Sequence, residues 1–127
     1  MARSKQPRRA SLDDLLSKQR RTKELSLGDE GSEVTLLFQA LGAKEYDDLI
    51  AEHPPTADQK KQGAAWNGDV FAPALISACS VEPKIDVDAA TSIWTSEAWS
   101  RGELMDLFMA VVGLNSEGMR IPFTEND

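Results

Sequence analysis

Apolar side chains follow a helical period in the second half of the chain. Between residues 66 and 116 three apolar segments recur, separated by turn residues, and they hold all three tryptophans and the only cysteine. In the last segment the spacing i, i+3, i+4, i+7 puts on one helix face Leu104, Leu107, Phe108, Val111 and Leu114. The three segments are therefore the predicted core.

The last helix carries a second apolar stripe. Met105, Met109 and Val112 also lie at helical spacing, so the apolar surface is wider than one packed face requires. Two interpretations stay open at this point. The helix is buried in the middle of a small bundle, or it presents a methionine-rich, adaptable surface to an apolar partner helix.

Polar side chains mark the ends of the predicted helices. Ser100 and Glu103 have the spacing of a capping box, and Gly113 with Asn115 predicts the end of that last helix. Further helix starts are predicted at Ser11, at Gly42, at Thr56 with Gln59, at Asn67 or Asp69, and at Asp86 or Asp88.

An alternating pattern near the beginning of the chain predicts a β-hairpin. Leu25 and Leu27 alternate with polar residues, and Val34, Leu36 and Phe38 do the same beyond a turn that runs Gly-Asp-Glu-Gly. A lone hairpin is marginally stable, so it must pack on the helices or pair edge to edge with another chain. The predicted fold is therefore mainly α, a small domain of four to six helices with an N-terminal hairpin, and self-association is plausible.

Charge divides the chain into an arm and a body. Residues 1–23, the basic arm, hold eight Lys and Arg against two Asp, a balance of +6, whereas the rest carries −13. We expect residues 1–23 to be a flexible arm with a short helix, residues 24–116 to form the hairpin and helical domain, and residues 117–127 to be an irregular tail.

Composition and cysteine content predict an intracellular protein. At 127 residues and 41% hydrophobic the chain suits one globular domain. A single cysteine excludes an internal disulfide and suits a reducing cytosol. No apolar run approaches the roughly 20 residues that span a bilayer, so no membrane association is expected.

The sequence offers little for catalysis or metal binding. His53 is the only histidine, and it precedes two prolines at a predicted helix end, where it more often complements the helix C-terminus or packs in the turn. One His and one Cys cannot form a four-ligand zinc site, and no phosphate-binding glycine loop is present. We expect no enzymatic activity, no metal and no cofactor.

Residues 41–115 resemble the tail assembly chaperones of long-tailed, siphovirus-type bacteriophages, in the branch found in phages of actinobacteria. The resemblance lies in the order and spacing of several segments: Leu41-Gly-Ala-Lys-Glu-Tyr-Asp-Asp-Leu, His53-Pro-Pro-Thr, Trp66-Asn-Gly-Asp-Val-Phe-Ala-Pro-Ala-Leu-Ile-Ser-Ala-Cys-Ser-Val-Glu-Pro-Lys, Trp94, and Trp99-Ser-Arg-Gly-Glu. The preceding hairpin fits as well.

This resemblance implies a non-enzymatic partner-binding protein of the host cell cytoplasm. Such a chaperone binds the phage tape measure protein, keeps it soluble, promotes assembly of the tail tube around it, and is absent from the mature virion. A longer form made by programmed frameshifting recruits the tail tube protein, and this chain would be the short form. A homo-oligomer along the client is expected.

Two groups of apolar residues are assigned by this hypothesis. Contact with the client or with another copy is expected at Met105, Met109, Val112, Phe108, Val34 and Leu36. A core that shapes the contact surface is expected at Trp66, Phe71, Pro73, Trp94 and Trp99.

Two other classes of function compete with the chaperone. A head-to-tail connector or minor tail protein would share the small size and the self-association. A small regulator would bind nucleic acid through the basic arm. We do not expect nucleic-acid binding, because the arm has no interleaved aromatic residues and the body would repel phosphate.

Overall fold

A computed structural model describes residues 8–118 and shows helices packed beside a small antiparallel sheet. Within these residues there are six helices and three strands, in the order α1 Leu12–Leu16, β1 Thr22–Leu27, β2 Val34–Gln39, α2 Ala43–Ala51, α3 Ala57–Lys61, α4 Gly68–Cys79, β3 Ser80–Glu82, α5 Val87–Trp94 and α6 Arg101–Ser116. The prediction of a helical domain with a hairpin is confirmed in outline. The third strand makes the fold mixed α and β instead of mainly α.

The predicted hairpin forms, and the structure gives its register. β1 and β2 pair antiparallel, with Leu25 opposite Leu36 and Leu27 opposite Val34. Gly28 begins the turn at a φ of 109°, in the left-handed region that glycine adopts without strain. The alternating leucines therefore lie on one face of the sheet, where they can pack against the helices.

The third strand was not predicted. β3 follows α4 directly and pairs antiparallel with β2, with Ser80 opposite Phe38 and Glu82 opposite Leu37. Three residues are too few to show an alternating pattern, so only the long-range pairing with β2 reveals the strand. β2 thus becomes the central strand, and β1 is left at one edge of the sheet.

The helix starts follow the predicted caps. Complete capping boxes join Ser11 with Asp14, Thr56 with Gln59, and Ser100 with Glu103. Where two caps were possible, Asn67 begins α4 and Asp86 begins α5.

α6 ends at Ser116, one residue beyond the stop predicted at Gly113 with Asn115. Asn115 does not cap the helix. Its Oδ1 accepts the backbone N–H of Leu41 at 2.8 Å, and its Nδ2 donates to the carbonyl of Val111 at 2.8 Å. The polar residue that suggested a stop is therefore a link between α6 and the segment after β2.

The core is centred on α4. Phe71, Ala72, Leu75 and Ile76 are fully buried there, and Pro73 is buried as well. α4 also contributes Cys79, and the sheet adds Phe38. The remaining buried apolar side chains come from the segment after β2, from α5 and the segment before it, and from α6: Ala40, Leu41, Ile85, Ala90, Leu104, Leu107, Phe108, Val111 and Leu114. The predicted core segments therefore do form the interior.

The division between arm and body lies slightly earlier than predicted. Residues 22 and 23 belong to β1, and the Arg21 carbonyl accepts the backbone N–H of Ala40 at 2.8 Å. The arm thus joins the sheet directly at Thr22. The predicted tail beyond residue 118 and the first seven residues of the arm lie outside the described residues.

Candidate functional site

Phe108 belongs to an aromatic cluster inside the protein, and its assignment as a contact residue is wrong. Its ring lies 6.2 Å from those of Trp66 and Phe71 and 5.8 Å from that of Trp94, each in an edge-to-face arrangement. Only 6% of its surface is exposed, because α6 turns this side chain toward α4. The cluster therefore packs α6 against α4 and α5.

The aromatic residues assigned to the core lie where they were expected. Phe71 is fully buried, and its ring stacks at a tilt against Trp66 with centroids 4.7 Å apart. The three tryptophans are half-buried, with their rings packed against the core cluster. Their partly exposed edges contribute to the surface around the core.

The methionine stripe of Met105, Met109 and Val112 runs along the flank of α6. Met105 is 39% exposed and Met109 is 55% exposed, whereas Val112 is half-buried against the core. The interpretation of α6 as a helix buried on all sides is therefore wrong. The stripe is an accessible apolar surface on a helix whose opposite face is fixed, and contact with a partner stays a prediction.

A groove between the hairpin and α6, called here the sheet groove, lies on the other flank of that helix. It has a volume of about 260 Å³, and its lining includes Leu25, Leu27, Leu36, Trp99 and Leu107, with Glu103 and Asp106 also beside it. Leu36, a predicted contact residue, is half-buried here. Val34, the other predicted hairpin contact, is 58% exposed near the turn.

Sequence reasoning missed two apolar surfaces. The first is α1, whose three leucines are all exposed although the helix start was recognised. Their i, i+3, i+4 spacing was the available signal. The second is a shallow groove of about 440 Å³ over α4, between α2 and α5, with Val70, Pro73, Ala74 and Val87 in its walls. Small residues form its floor, and they carried no distinctive pattern in the sequence.

Several cations of the basic arm contact the protein itself. Arg8 forms a bidentate salt bridge with Asp14, with N–O distances of 2.8 and 2.9 Å. A guanidinium nitrogen of Arg20 lies 3.6 Å from Oε1 of Glu45. The guanidinium of Arg21 donates to the carbonyls of Leu114 and Glu117 at the end of α6. The Arg8 pair lies within the arm, whereas the contacts of Arg20 and Arg21 hold the end of the arm against the body. The two ion pairs are exposed and individually weak.

The carboxylate of Asp14 is the most perturbed acid of the arm. The Arg8 guanidinium, helped by the backbone N–H of Ser11, lowers the pKa of Asp14 to about 2. Asp14 therefore stays ionised at any physiological pH. Its carboxylate can accept hydrogen bonds from the backbone N–H of Ser11 at the start of α1 and from Arg8.

The single histidine and the single cysteine have structural surroundings. His53 Nδ1 lies 2.8 Å from the carbonyl oxygen of Leu49, so this nitrogen carries the proton and donates, and the ring packs 6.2 Å from that of Phe71. Burial raises the pKa of the Cys79 thiol, which accepts a weak hydrogen bond from Asn115. Neither side chain has the geometry of a nucleophile beside a base.

The described residues, 8–118, offer neither a metal-binding cluster nor a membrane-spanning helix. No cluster of three or more His, Cys, Asp and Glu side chains is arranged there to hold a metal ion. No helix in that range has both the length and the apolar character to cross a membrane. No family model, curated protein or solved structure matches this chain. The surfaces above are therefore interpreted from their own chemistry.

Proposed function

We propose that this protein is a tail assembly chaperone of a long-tailed bacteriophage. It binds the tape measure protein in the host cytoplasm, keeps that coiled-coil-prone chain soluble, and promotes assembly of tail tube subunits around it. It acts without catalysis or a cofactor and leaves before the particle is complete. Support comes from the resemblance of residues 41–115 and from the accessible apolar surfaces of the fold.

The methionine stripe is the observation that carries this proposal. A client helix presents an apolar face that varies in shape along its length, and unbranched methionine side chains adapt to such a face. The stripe stands on α6, which the Phe108 cluster holds in position. A helix in a fixed position that presents flexible side chains suits a protein that must bind many different segments of one long client.

The charge of the body supports the same role. Residues 24–127 carry −13, so copies bound side by side along a client give the complex a strong like charge, which opposes aggregation. In this proposal the short form covers the tape measure protein, and a frameshifted longer form recruits the tail tube protein. The chain described here would then be the coating subunit.

Co-expression with the tape measure protein of the same phage tests the proposal. The variant Met105→Gln/Met109→Gln keeps side-chain length and helix propensity while it removes the apolar contact. We expect binding of the tape measure protein to weaken roughly tenfold, with a matching fall in its soluble fraction. The control Val81→Thr replaces another exposed apolar side chain, on β3 and outside both grooves, and should solubilise the client as the wild type does.

Two results would contradict the proposal. A client that stays equally insoluble with and without the wild-type chain would remove the chaperone role. Mass spectrometry that finds the chain at stoichiometric amounts in purified, infectious particles would favour a retained connector or minor tail protein instead.

A further inference from the structure

α1 is a short helix that has no core of its own. Its three leucines, Leu12, Leu15 and Leu16, share one face and are 70%, 65% and 75% exposed. No residue of this helix is buried. Five residues are too few to persist as a helix in water through their own backbone hydrogen bonds. Burial of the leucine face is therefore the main stabilisation still open to α1.

Polar contacts prepare α1 for such burial. The Asp14 carboxylate accepts hydrogen bonds from the backbone N–H of Ser11 at 2.8 Å and from both terminal guanidinium nitrogens of Arg8. Ser11 Oγ in turn accepts the backbone N–H of Asp14 at 3.1 Å. The helix start is thus fixed before any apolar contact forms. A helix with apolar anchors at i, i+3 and i+4 has the pattern that binds an apolar groove.

The sheet groove matches this helix in chemistry. Its walls are mostly leucine and tryptophan side chains, and Glu103 and Asp106 supply acidic groups. No ion pair within residues 8–118 involves either acid. In the described part of the arm, Arg9 precedes α1 and Lys18 follows it, whereas Arg8 is paired with Asp14. The leucine face of α1 is therefore flanked along the chain by cations, and the sheet groove is bordered by carboxylates, so their charges are complementary.

The groove of the same chain is badly placed for α1. Arg21 is bound to the carbonyl of Leu114, and Arg20 is paired with Glu45 on α2. Asp106 precedes Leu114 by eight residues, about 12 Å along the helix axis. Only residues 17–19 separate α1 from Arg20 and Arg21. For α1 to reach the groove of its own chain, these three residues would have to run fully extended along α6. The chain therefore enters β1 near the C-terminal end of α6, whereas the groove lies beside the N-terminal half of that helix.

We propose that α1 of one copy docks through Leu12, Leu15 and Leu16 into the sheet groove of a second copy. This contact goes beyond the proposed function, because it requires no client. The two surfaces are made of different residues, so the contact is heterologous and can repeat from copy to copy. Such an interface produces a ring where the rotation closes and a filament where it does not.

Complementation between two defective variants tests the docking. The arm variant is Leu12→Ala/Leu15→Ala/Leu16→Ala, which removes the anchors and retains helix propensity. The groove variant is Leu27→Lys/Asp106→Lys, which puts cations where the basic arm would dock. The control Val81→Lys/Glu52→Lys makes the same chemical changes outside the groove. Circular dichroism and thermal unfolding confirm that each variant folds, and sedimentation of the chain alone measures its mass.

We expect the wild type and the control to assemble with rising concentration, and each defective variant to be monomeric because its affinity falls about a hundredfold or more. An equimolar mixture of the two variants should form a dimer and no larger species, since one intact α1 remains to fill one intact groove. A monomeric wild type, an arm variant that assembles normally, or a mixture that stays monomeric would each overturn the docking. None of these results depends on the tape measure protein, so failure here is separate from failure of the chaperone role.

Discussion

Replacement of Asn115 by alanine should destabilise the protein although the residue lies in the last turn of a helix. Asn115 Oδ1 is the acceptor for the backbone N–H of Leu41, a residue that is only 9% exposed. Removing the amide leaves that N–H without a partner, which costs about 1–3 kcal/mol. Alanine regains at most about 0.7 kcal/mol of helix propensity. The expected net loss is therefore about 0.3–2.3 kcal/mol, centred near about 1.3 kcal/mol.

Chemical denaturation measured by circular dichroism checks this value. A loss of that size should also lower the Tm by roughly 4 °C for each kcal/mol in a chain of this length. The matched control is Ser116→Ala, which removes an exposed bond from Ser116 Oγ to the Val112 carbonyl in the same helical turn. Its effect should stay within about 0.5 kcal/mol. If Asn115→Ala costs no more than the control, the link between α6 and Leu41 does not stabilise the fold.

Three further predictions concern the core, the arm and the thiol. Phe71→Ala should lower the free energy of unfolding, measured by denaturation, by about 3–5 kcal/mol, because the ring is fully buried. Val70→Ala on the exposed side of α4 should lower it by less than about 1 kcal/mol. Similar losses in the two variants would contradict the assigned core. The pKa of Asp14 is lowered to about 2, so its support of α1 is complete above its ordinary value of 3.8 and is lost as the pH falls toward 2. NMR shifts of α1 should report that loss, and Arg8→Gln should move it to higher pH. Cys79 is buried with a raised pKa, so a thiol reagent at pH 8 should modify it only in denaturant, and rapid modification of the native protein would refute its burial.

Local signals in the sequence were sufficient for the hairpin and the helix starts. The register of Leu25 with Leu36 follows from alternation and the turn, and the caps at Ser11, Thr56 and Ser100 depend on residues three positions apart. Such features are decided within a few residues, so a pattern can predict them.

Features that depend on distant partners were missed or misread. β3 exists because β2 pairs with it, and the role of Asn115 depends on Leu41, which is far away in the sequence. The period of α6 identified both of its apolar stripes, but only the packed fold shows that Phe108 is inside and that Met109 is accessible. Periodicity gives the faces of a helix, and tertiary packing decides which face is covered.

The positions of the three tryptophans give the protein a built-in optical probe. The rings of Trp66 and Trp94 both lie against Phe108, whereas Trp99 is in the wall of the sheet groove. A chain with phenylalanine at positions 66 and 94 keeps those aromatic contacts and emits from Trp99 alone. Its emission would shift to shorter wavelength whenever a segment excludes water from the groove, so occupancy could be followed in real time without an attached dye.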